Sequence, residues 1–119
     1  MKDNIKYIKM DKIDSKELNM DVQEPWYSFI KNGSKIIEGR LNEGMYSNIK
    51  NGDIIKLNKH NDDNEFIFLI IREIKKYKSF REMLEFEKIE DVLPNINTIE
   101  NGINIYRQFL ILIYKLFIF

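Results

Sequence analysis

Apolar and polar residues follow one another along this chain with the periods of short strands and short helices. Strands are predicted where apolar side chains alternate with polar ones or form short buried runs. These segments are residues 5–10, 35–41, 53–58 and 65–77, followed by a final apolar strand at 110–119. The polar stretches between them, including residues 11–21 and the hairpin sequence KHNDDN, predict connections.

Helical periodicity predicts three helices. The segment EPWYSFIKNG, residues 24–33, has apolar side chains at positions i, i+3 and i+4 and ends at a glycine. A capping-box spacing that begins at Ser79 predicts the start of the second helix, and residues 98–110 repeat apolar side chains at helical spacing. Short strands joined by hairpins, with helices at the ends, predict a small α+β barrel.

Composition narrows the class of protein. With 119 residues, of which 44% are hydrophobic and 32% charged, the chain has the size and content of one globular domain, residues 1–119. Lys plus Arg equals Asp plus Glu at 19 each, which excludes a polycation that grips nucleic acid with its whole surface but allows a local basic patch. The absence of cysteine and the single histidine argue against disulfides, thiolate chemistry and a zinc site, so no cofactor or metal is expected.

The two ends of the chain bear on its location. Residues 1–14 lack the apolar core of a secretory signal, so we expect a cytoplasmic protein. The apolar run at 110–119 is about half of the ~20 residues needed to span a bilayer, so no membrane anchor is expected. An apolar tail of this kind is instead a candidate edge for pairing with a second copy of the chain, which would give a homo-oligomer.

The predicted strand KIIEGRL carries an unusual cluster of charges, namely Lys35, Glu38 and Arg40. Side chains alternate along a strand, so Glu38 and Arg40 share one face while Ile37 and Leu41 face the core. Lys35 lies at the start of the strand, and its long stem can bend toward the same opening. The three charged groups are therefore expected to converge at one rim of the barrel.

Such a trio suits a polar, planar or anionic ligand. Arg40 offers forked donors to a phosphate or a base edge, and Lys35 supplies a point charge. Glu38 would accept a hydrogen bond from an exocyclic amine or hold Arg40 in position. The alternative is a surface ion pair between Glu38 and Arg40, worth less than ~1 kcal/mol.

Aromatic side chains near the first helix are further candidates. Trp26 falls on the apolar face of the helix and is expected in the core. Tyr27 lies off that face, so it is a candidate for stacking on a base at the edge of the cleft. His60 lies in a polar hairpin and is interpreted as an exposed residue rather than a general acid.

A second set of charges follows the longest predicted strand. Its basic members either extend the positive potential of a cleft or form a solubilising edge; they are Arg72, Lys75, Lys76 and Lys78. The acidic residues of the next helix are expected on its wet face, although one of them could approach the cleft as a second carboxylate; they are Glu82, Glu85 and Glu87.

The sequence GSKIIEGRL resembles the G-x-K-x-x-E-x-R signature of the ASCH domain, a branch of the PUA-like superfamily. Further segments resemble other parts of that family in the same order. They are EPWYSFIKNG, IKNGDIIKL, IREIKKYKSFREMLE and ENGINIYRQF. Together the matching segments cover residues 24–109.

The resemblance implies a PUA-like β-barrel flanked by short helices, with a cleft beside the signature strand. It also implies binding of RNA or a nucleotide-like ligand. Carried over by position, Lys35, Glu38 and Arg40 are the signature residues, and Tyr77 matches a position near the cleft.

This chain departs from the family pattern in two places. One branch hydrolyses the acetyl amide of a modified cytidine with a Lys and a Thr inside the signature, and Glu38 stands at the position of that Thr. A carboxylate cannot act as the same hydroxyl nucleophile, which argues against that amidohydrolase activity. The second departure is the C-terminus, where the apolar run replaces the usual polar connection and closing strand.

Three functions therefore stand as hypotheses. The first is a module that binds RNA or a nucleotide through Lys35, Glu38 and Arg40. The second is a small metal-independent hydrolase acting on RNA or a modified nucleoside, with Glu38 as general base and Lys35 stabilising the developing charge. The third is an interaction scaffold that pairs through its apolar tail.

Overall fold

The computed structural model of the chain describes residues 5–7 and 18–107, and within them four strands form one sheet. The strands are β1 (Ile5–Tyr7), β2 (Leu18–Val22), β3 (Ile54–Lys59) and β4 (Phe66–Ile71). Their order in the sheet is β1-β4-β3-β2, with β4 antiparallel to β1 and β3, and β2 parallel to β3. The α+β class is confirmed. The sheet is open in the described part of the chain, so the closed barrel is not confirmed.

Short helices accompany the sheet. They are α1 (Trp26–Lys31), a 3₁₀ helix (Gly44–Asn48), α2 (Phe80–Phe86), α3 (Ile89–Val92) and α4, which is helical over residues 99–107. The predicted cap of α2 is present, because the Ser79 hydroxyl accepts a hydrogen bond from the Glu82 amide at 3.1 Å. The predicted stop after α1 is also present, since Gly33 has a φ of +85°, a conformation that favours glycine.

The strand predicted at residues 35–41 is not formed. The amide groups of Ile36 and Ile37 both donate to the carbonyl oxygen of Asp91, at 3.0 and 3.1 Å. The segment is therefore held in an irregular, extended form against α3, and not by a neighbouring strand. Alternating apolar and charged side chains do not distinguish these two ways of satisfying the backbone.

Two other boundaries differ from the prediction. The polar stretch at 11–21 was predicted to be a connection, but its end belongs to β2, where Met20 and Val22 are buried and the intervening Asp21 is exposed. The longest predicted strand stops at Ile71, because residues 72–76 run exposed along the surface and pair with no strand in the described part of the chain. The final strand predicted at 110–119 lies outside the described residues.

The core consists of two apolar clusters. The first lies between the sheet and α1, and the second is built by α2, α3 and α4. Trp26 packs against both clusters. Among the described residues, no helix is both long and apolar enough to cross a membrane.

Candidate functional site

A cleft of about 470 Å³ lies between the two apolar clusters. One wall comes from the sheet and its cluster, through Met20, Ile55 and Ile71, and the facing wall comes from α2, through Phe80 and Met83. The segment that carries the charged cluster closes one side, and the exposed residues after β4 close the other. The cleft is therefore mainly apolar, with polar groups supplied by two irregular segments.

Lys35 lies behind this cleft and not in its wall. Its side chain is only 1% exposed. The ammonium group donates to the carbonyl oxygens of Ile37 and Val92, the latter at 2.5 Å, and it lies 3.3 Å from Oε1 of Glu38. An ammonium has three N–H donors, and each of them has an acceptor here.

Glu38 lies between two cations and lines the cleft. Its Oε1 faces Lys35, and its Oε2 accepts from Nη2 of Arg40 at 3.1 Å and from Nε at 3.4 Å. The side chain is 12% exposed. This burial contradicts the interpretation of Glu38 and Arg40 as a surface ion pair.

Arg40 forms the outer end of the same chain of charges, with a side chain that is 29% exposed. Its Nη1 donates to the Tyr46 hydroxyl at 3.1 Å, and its Nη2 donates to the carbonyl oxygen of Asp21 at 3.1 Å. The guanidinium carbon also lies 5.4 Å from the centre of the Tyr46 ring, within the range of a cation–π contact. Tyr46, which positions Arg40, was not singled out in the sequence.

The charges of the three groups shift one another's pKa values. Burial lowers the pKa of Lys35, and the Glu38 carboxylate opposes that shift. Burial alone would raise the pKa of Glu38, but the adjacent Lys35 and Arg40 outweigh it and hold that pKa below its usual range. Burial likewise opposes the charged form of Arg40, yet Glu38 raises its pKa. Glu38 is thus held as a carboxylate at neutral pH.

The predicted convergence of Lys35, Glu38 and Arg40 is present, but in a different form. The three groups were expected to face one opening together. They instead form a series that runs from the interior to the cleft, with Lys35 innermost and Arg40 outermost. Lys35 therefore lies where it positions Glu38, and its amine has no free donor for a ligand.

A second polar group occupies the opposite side of the cleft. The Tyr77 hydroxyl donates to the carboxylate of Glu87, and the Lys75 ammonium lies 3.3 Å from the same Oε2. Burial, followed by the bond to Glu87, raises the pKa of Tyr77 to about 12. Tyr77 lines the cleft as expected, and Glu87 is the one of the three helix carboxylates that does so.

The cations after β4 differ in their availability. Lys75 pairs with Glu73 and Glu87, whereas the ammonium groups of Lys76 and Lys78 make no ion pair with any described residue. All three lysines line the cleft, and Arg72 does not. Free positive charge is therefore concentrated at one rim.

Tyr27 does not face the cleft, contrary to the sequence-based expectation. The buried face of α1 is set by Tyr27 and Ile30, spaced i, i+3, which turns the Tyr27 ring into the core at 1% exposure. Its hydroxyl donates to Glu65 at 2.8 Å, and neither residue lines the cleft. The sequence pattern placed Trp26 on the buried face of α1, but Trp26 is half-buried.

A further sequence candidate, His60, lies away from the cleft. His60 is exposed in the hairpin and forms a 2.5 Å contact with Asp21. Within residues 5–7 and 18–107, no group of three His, Cys, Asp or Glu side chains has a geometry that could hold a metal ion.

The sequence analysis also missed Tyr106, a residue of α4. Its ring is 6% exposed and stacks on Phe80, with ring centres 4.2 Å apart and planes 4° from parallel. Its hydroxyl is buried and has no hydrogen-bond partner among the described residues. In the sequence it was counted only as one member of an apolar helical repeat, which carries no signal for a polar role.

Comparisons with known proteins agree with this description. The family model of the ASCH domain matches residues 20–113. The crystal structure of hypothetical protein PH0355 is 41% identical with a TM-score of 0.69, and the match covers 79% of this chain and 82% of that one. The solution NMR structure of protein PF0455 from Pyrococcus furiosus is 40% identical with a TM-score of 0.64, covering 79% and 81% of the two chains. No curated protein matches the chain.

The buried ion pair predicts a large effect of Lys35→Met on stability. The substitution leaves two backbone carbonyls without their donor and removes one of the two cations beside the buried Glu38 carboxylate. We expect the free energy of unfolding at pH 7 to fall by about 3–5 kcal/mol. Urea denaturation measures it. Lys31→Met is the matched control, because Lys31 also pairs with a glutamate, Glu65, but is 54% exposed; it should cost less than about 1 kcal/mol. Equal losses would contradict the burial of Lys35.

The lowered pKa of Glu38 predicts a dependence of stability on acid. Because the unfolded chain takes up this proton first, near a pKa of about 4.3, stability should decline as the pH falls from about 5 toward the lower pKa of the folded state. Glu38→Gln should flatten that part of the curve of unfolding free energy against pH. An unchanged slope between about pH 5 and 3 would show that Glu38 is not held ionised by its neighbours.

Proposed function

This chain belongs to the ASCH domain family, and we propose that it binds RNA or a nucleotide-like ligand in the cleft beside Glu38 and Arg40. The observation that supports this most directly is the composition of the cleft. Apolar walls suited to a planar ring meet a buried carboxylate on one side and the free cations Lys76 and Lys78 on the other. A nucleotide combines a planar ring, a polar edge and a phosphate, and each finds a counterpart here.

The cations of the site divide into two kinds. Arg40 already uses four of its five N–H donors, on Glu38, on the Tyr46 hydroxyl and on the Asp21 carbonyl. A forked contact with a phosphate would require Arg40 to give up these bonds. One N–H of its Nη1 is therefore the donor that remains for a ligand. We assign phosphate contacts to Lys76 and Lys78, whose ammonium groups are exposed and unpaired among the described residues.

Lys35 has an indirect role in this proposal. Its ammonium is occupied by two carbonyls and by Glu38, so it acts as a positioning residue that holds the carboxylate toward the cleft. Glu38 is then the hydrogen-bond acceptor of the site. Tyr77 lines the opposite side, where its ring is available for contact with a ligand.

The hydrolase hypothesis receives no support from the geometry. A general base works best with a pKa near the operating pH, and Lys35 and Arg40 hold the pKa of Glu38 below its usual range. Such a carboxylate is a weak proton acceptor. Lys35, the group assigned to charge stabilisation in that hypothesis, is sealed behind the cleft wall. We therefore propose recognition without bond cleavage by these residues.

The architecture of the whole chain is also part of the proposal. We propose that residues 1–119 form one domain and that the open sheet belongs to a PUA-like barrel. The support is the family match over residues 20–113 and the sequence pattern of short strands joined by hairpins.

The assignment of phosphate contacts predicts a change in the salt dependence of RNA binding. Each phosphate contact on a single strand contributes about −0.7 to the slope of log affinity against log salt concentration. Lys76→Gln and Lys78→Gln should each weaken binding of a single-stranded RNA oligomer and reduce the steepness of that slope by about 0.7. Fluorescence anisotropy over a range of salt concentrations measures both quantities.

Lys88→Gln is the matched control for these variants. It removes one exposed lysine charge from the same part of the chain, but Lys88 does not line the cleft. Its slope should equal that of the parent. If all three variants change binding equally, the effect comes from net charge and the assignment of Lys76 and Lys78 is wrong. If the parent binds neither RNA nor a nucleotide, the proposed function is wrong.

A further inference from the structure

One buried polar atom in the described part of the chain, the Tyr106 hydroxyl, is left without a hydrogen-bond partner. A buried hydroxyl without a partner has lost its hydrogen bonds to water without replacement, and such groups are rare in folded proteins. The ring itself is well packed, since it stacks on Phe80 in the wall of the cleft. Packing therefore accounts for the aromatic ring but not for the oxygen atom.

The position of this hydroxyl relates it to the cleft. A Cβ atom placed on Gly39 would lie 2.9 Å from the Tyr106 hydroxyl oxygen and 2.9 Å from the terminal methyl group of Met83. The hydroxyl and the methyl group thus meet beside the same backbone atom, and both Gly39 and Met83 line the cleft. Any other residue at position 39 would fill this space with a side chain. Glycine keeps the hydroxyl next to the cleft floor.

Met83 lines the cleft, and its terminal methyl group lies beside Gly39 as the hydroxyl does. Methionine is unbranched and has three rotatable bonds, so its methyl group can move aside at low cost. A ligand that enters the cleft can therefore displace this methyl group and reach the hydroxyl. Burial raises the pKa of Tyr106, and the neighbouring Glu38 carboxylate raises it further. The hydroxyl therefore keeps its proton and remains a donor.

We propose that the Tyr106 hydroxyl is a ligand contact, and that with the Glu38 carboxylate it forms a donor–acceptor pair near Gly39 that binds the edge of a nucleobase. This inference rests on the proposed function and specifies the part of the ligand that Glu38 and Tyr106 contact, namely the edge of the base. A base edge carries an N–H beside a carbonyl oxygen or a ring nitrogen, which matches an acceptor beside a donor. A phosphate has acceptors only and would be repelled by Glu38.

The side chains that line the cleft near Glu38 and Tyr106 favour a planar ring over a phosphate. Apolar side chains line the floor and the nearby walls, and they include Ile37, Leu41, Ile74, Phe80 and Met83. Lys76 and Lys78 line the same cleft from the segment after β4. The arrangement thus places base recognition at the floor and phosphate attraction at the rim.

Tyr106→Phe tests the inference with four probes, namely a ribonucleoside panel, the matching 5′-monophosphates, ribose 5-phosphate and the RNA oligomer. Loss of one hydrogen bond, with the ligand's acceptor left unpaired, should weaken nucleoside and monophosphate binding about tenfold in isothermal titration calorimetry. Binding of ribose 5-phosphate should not change. The melting temperature of the ligand-free variant should equal or exceed that of the parent, because an unpaired buried hydroxyl is removed.

Tyr27→Phe is the matched control, since it removes the hydroxyl of another buried tyrosine, one that bonds Glu65 and does not line the cleft. It should lower the melting temperature and leave binding unchanged. If Tyr106→Phe binds nucleosides as tightly as the parent while RNA still binds, the inference is overturned and the proposed function stands. If none of the probes binds the parent, the proposed function falls and the inference with it.

Discussion

The burial of one ammonium group, that of Lys35, is the constraint on which the candidate site depends. Lysine is almost never fully buried, and an unpaired charge in the interior is very costly. Lys35 is nevertheless 1% exposed, and its charge is accommodated by two carbonyls and one carboxylate. One carbonyl belongs to its own segment and the other to Val92 at the end of α3, so a single charge ties the signature segment to the helical cluster and directs Glu38 toward the cleft.

The properties of the cleft follow from this arrangement. Lys35 and Arg40 keep Glu38 ionised, which provides a fixed acceptor in a mainly apolar cleft. Arg40 is in turn held by Tyr46 and by the edge of β2, so the acceptor cannot reorient freely. Lys76 and Lys78, which follow β4, are exposed and make no ion pair with any described residue. Directional contacts and general attraction to an anion therefore come from different segments, which suits a ligand with a polar ring and a charged backbone.

Local signals predicted a good part of this structure. The capped start of α2, the glycine stop after α1 and the hairpin between β3 and β4 each depend on neighbouring residues, and all three are present. The signature motif identified the three charged residues. The segment at 35–41 was predicted to be a strand because its side chains alternate. Alternation indicates which side chains share a face, but not which groups accept the backbone hydrogen bonds.

The remaining differences depend on contacts between distant parts of the chain. One acceptor of the buried Lys35 ammonium, the Val92 carbonyl oxygen, lies 57 residues away in the sequence. The role of Lys35 as an internal anchor therefore has no local signal. The face of α1 depends on how the helix meets the sheet, which buries Tyr27 and leaves Trp26 half-buried against both apolar clusters. The unpaired hydroxyl of Tyr106 is visible only once α4 lies beside Gly39.

The most direct measurement of the central claim is NMR observation of the Lys35 side-chain ammonium in ¹⁵N-labelled protein. The account predicts a distinct NH₃⁺ signal that exchanges slowly with water and shows coupling through hydrogen bonds to the carbonyl carbons of Ile37 and Val92. A Lys35 ammonium that exchanges as fast as those of Lys76 and Lys78, without such coupling, would contradict it.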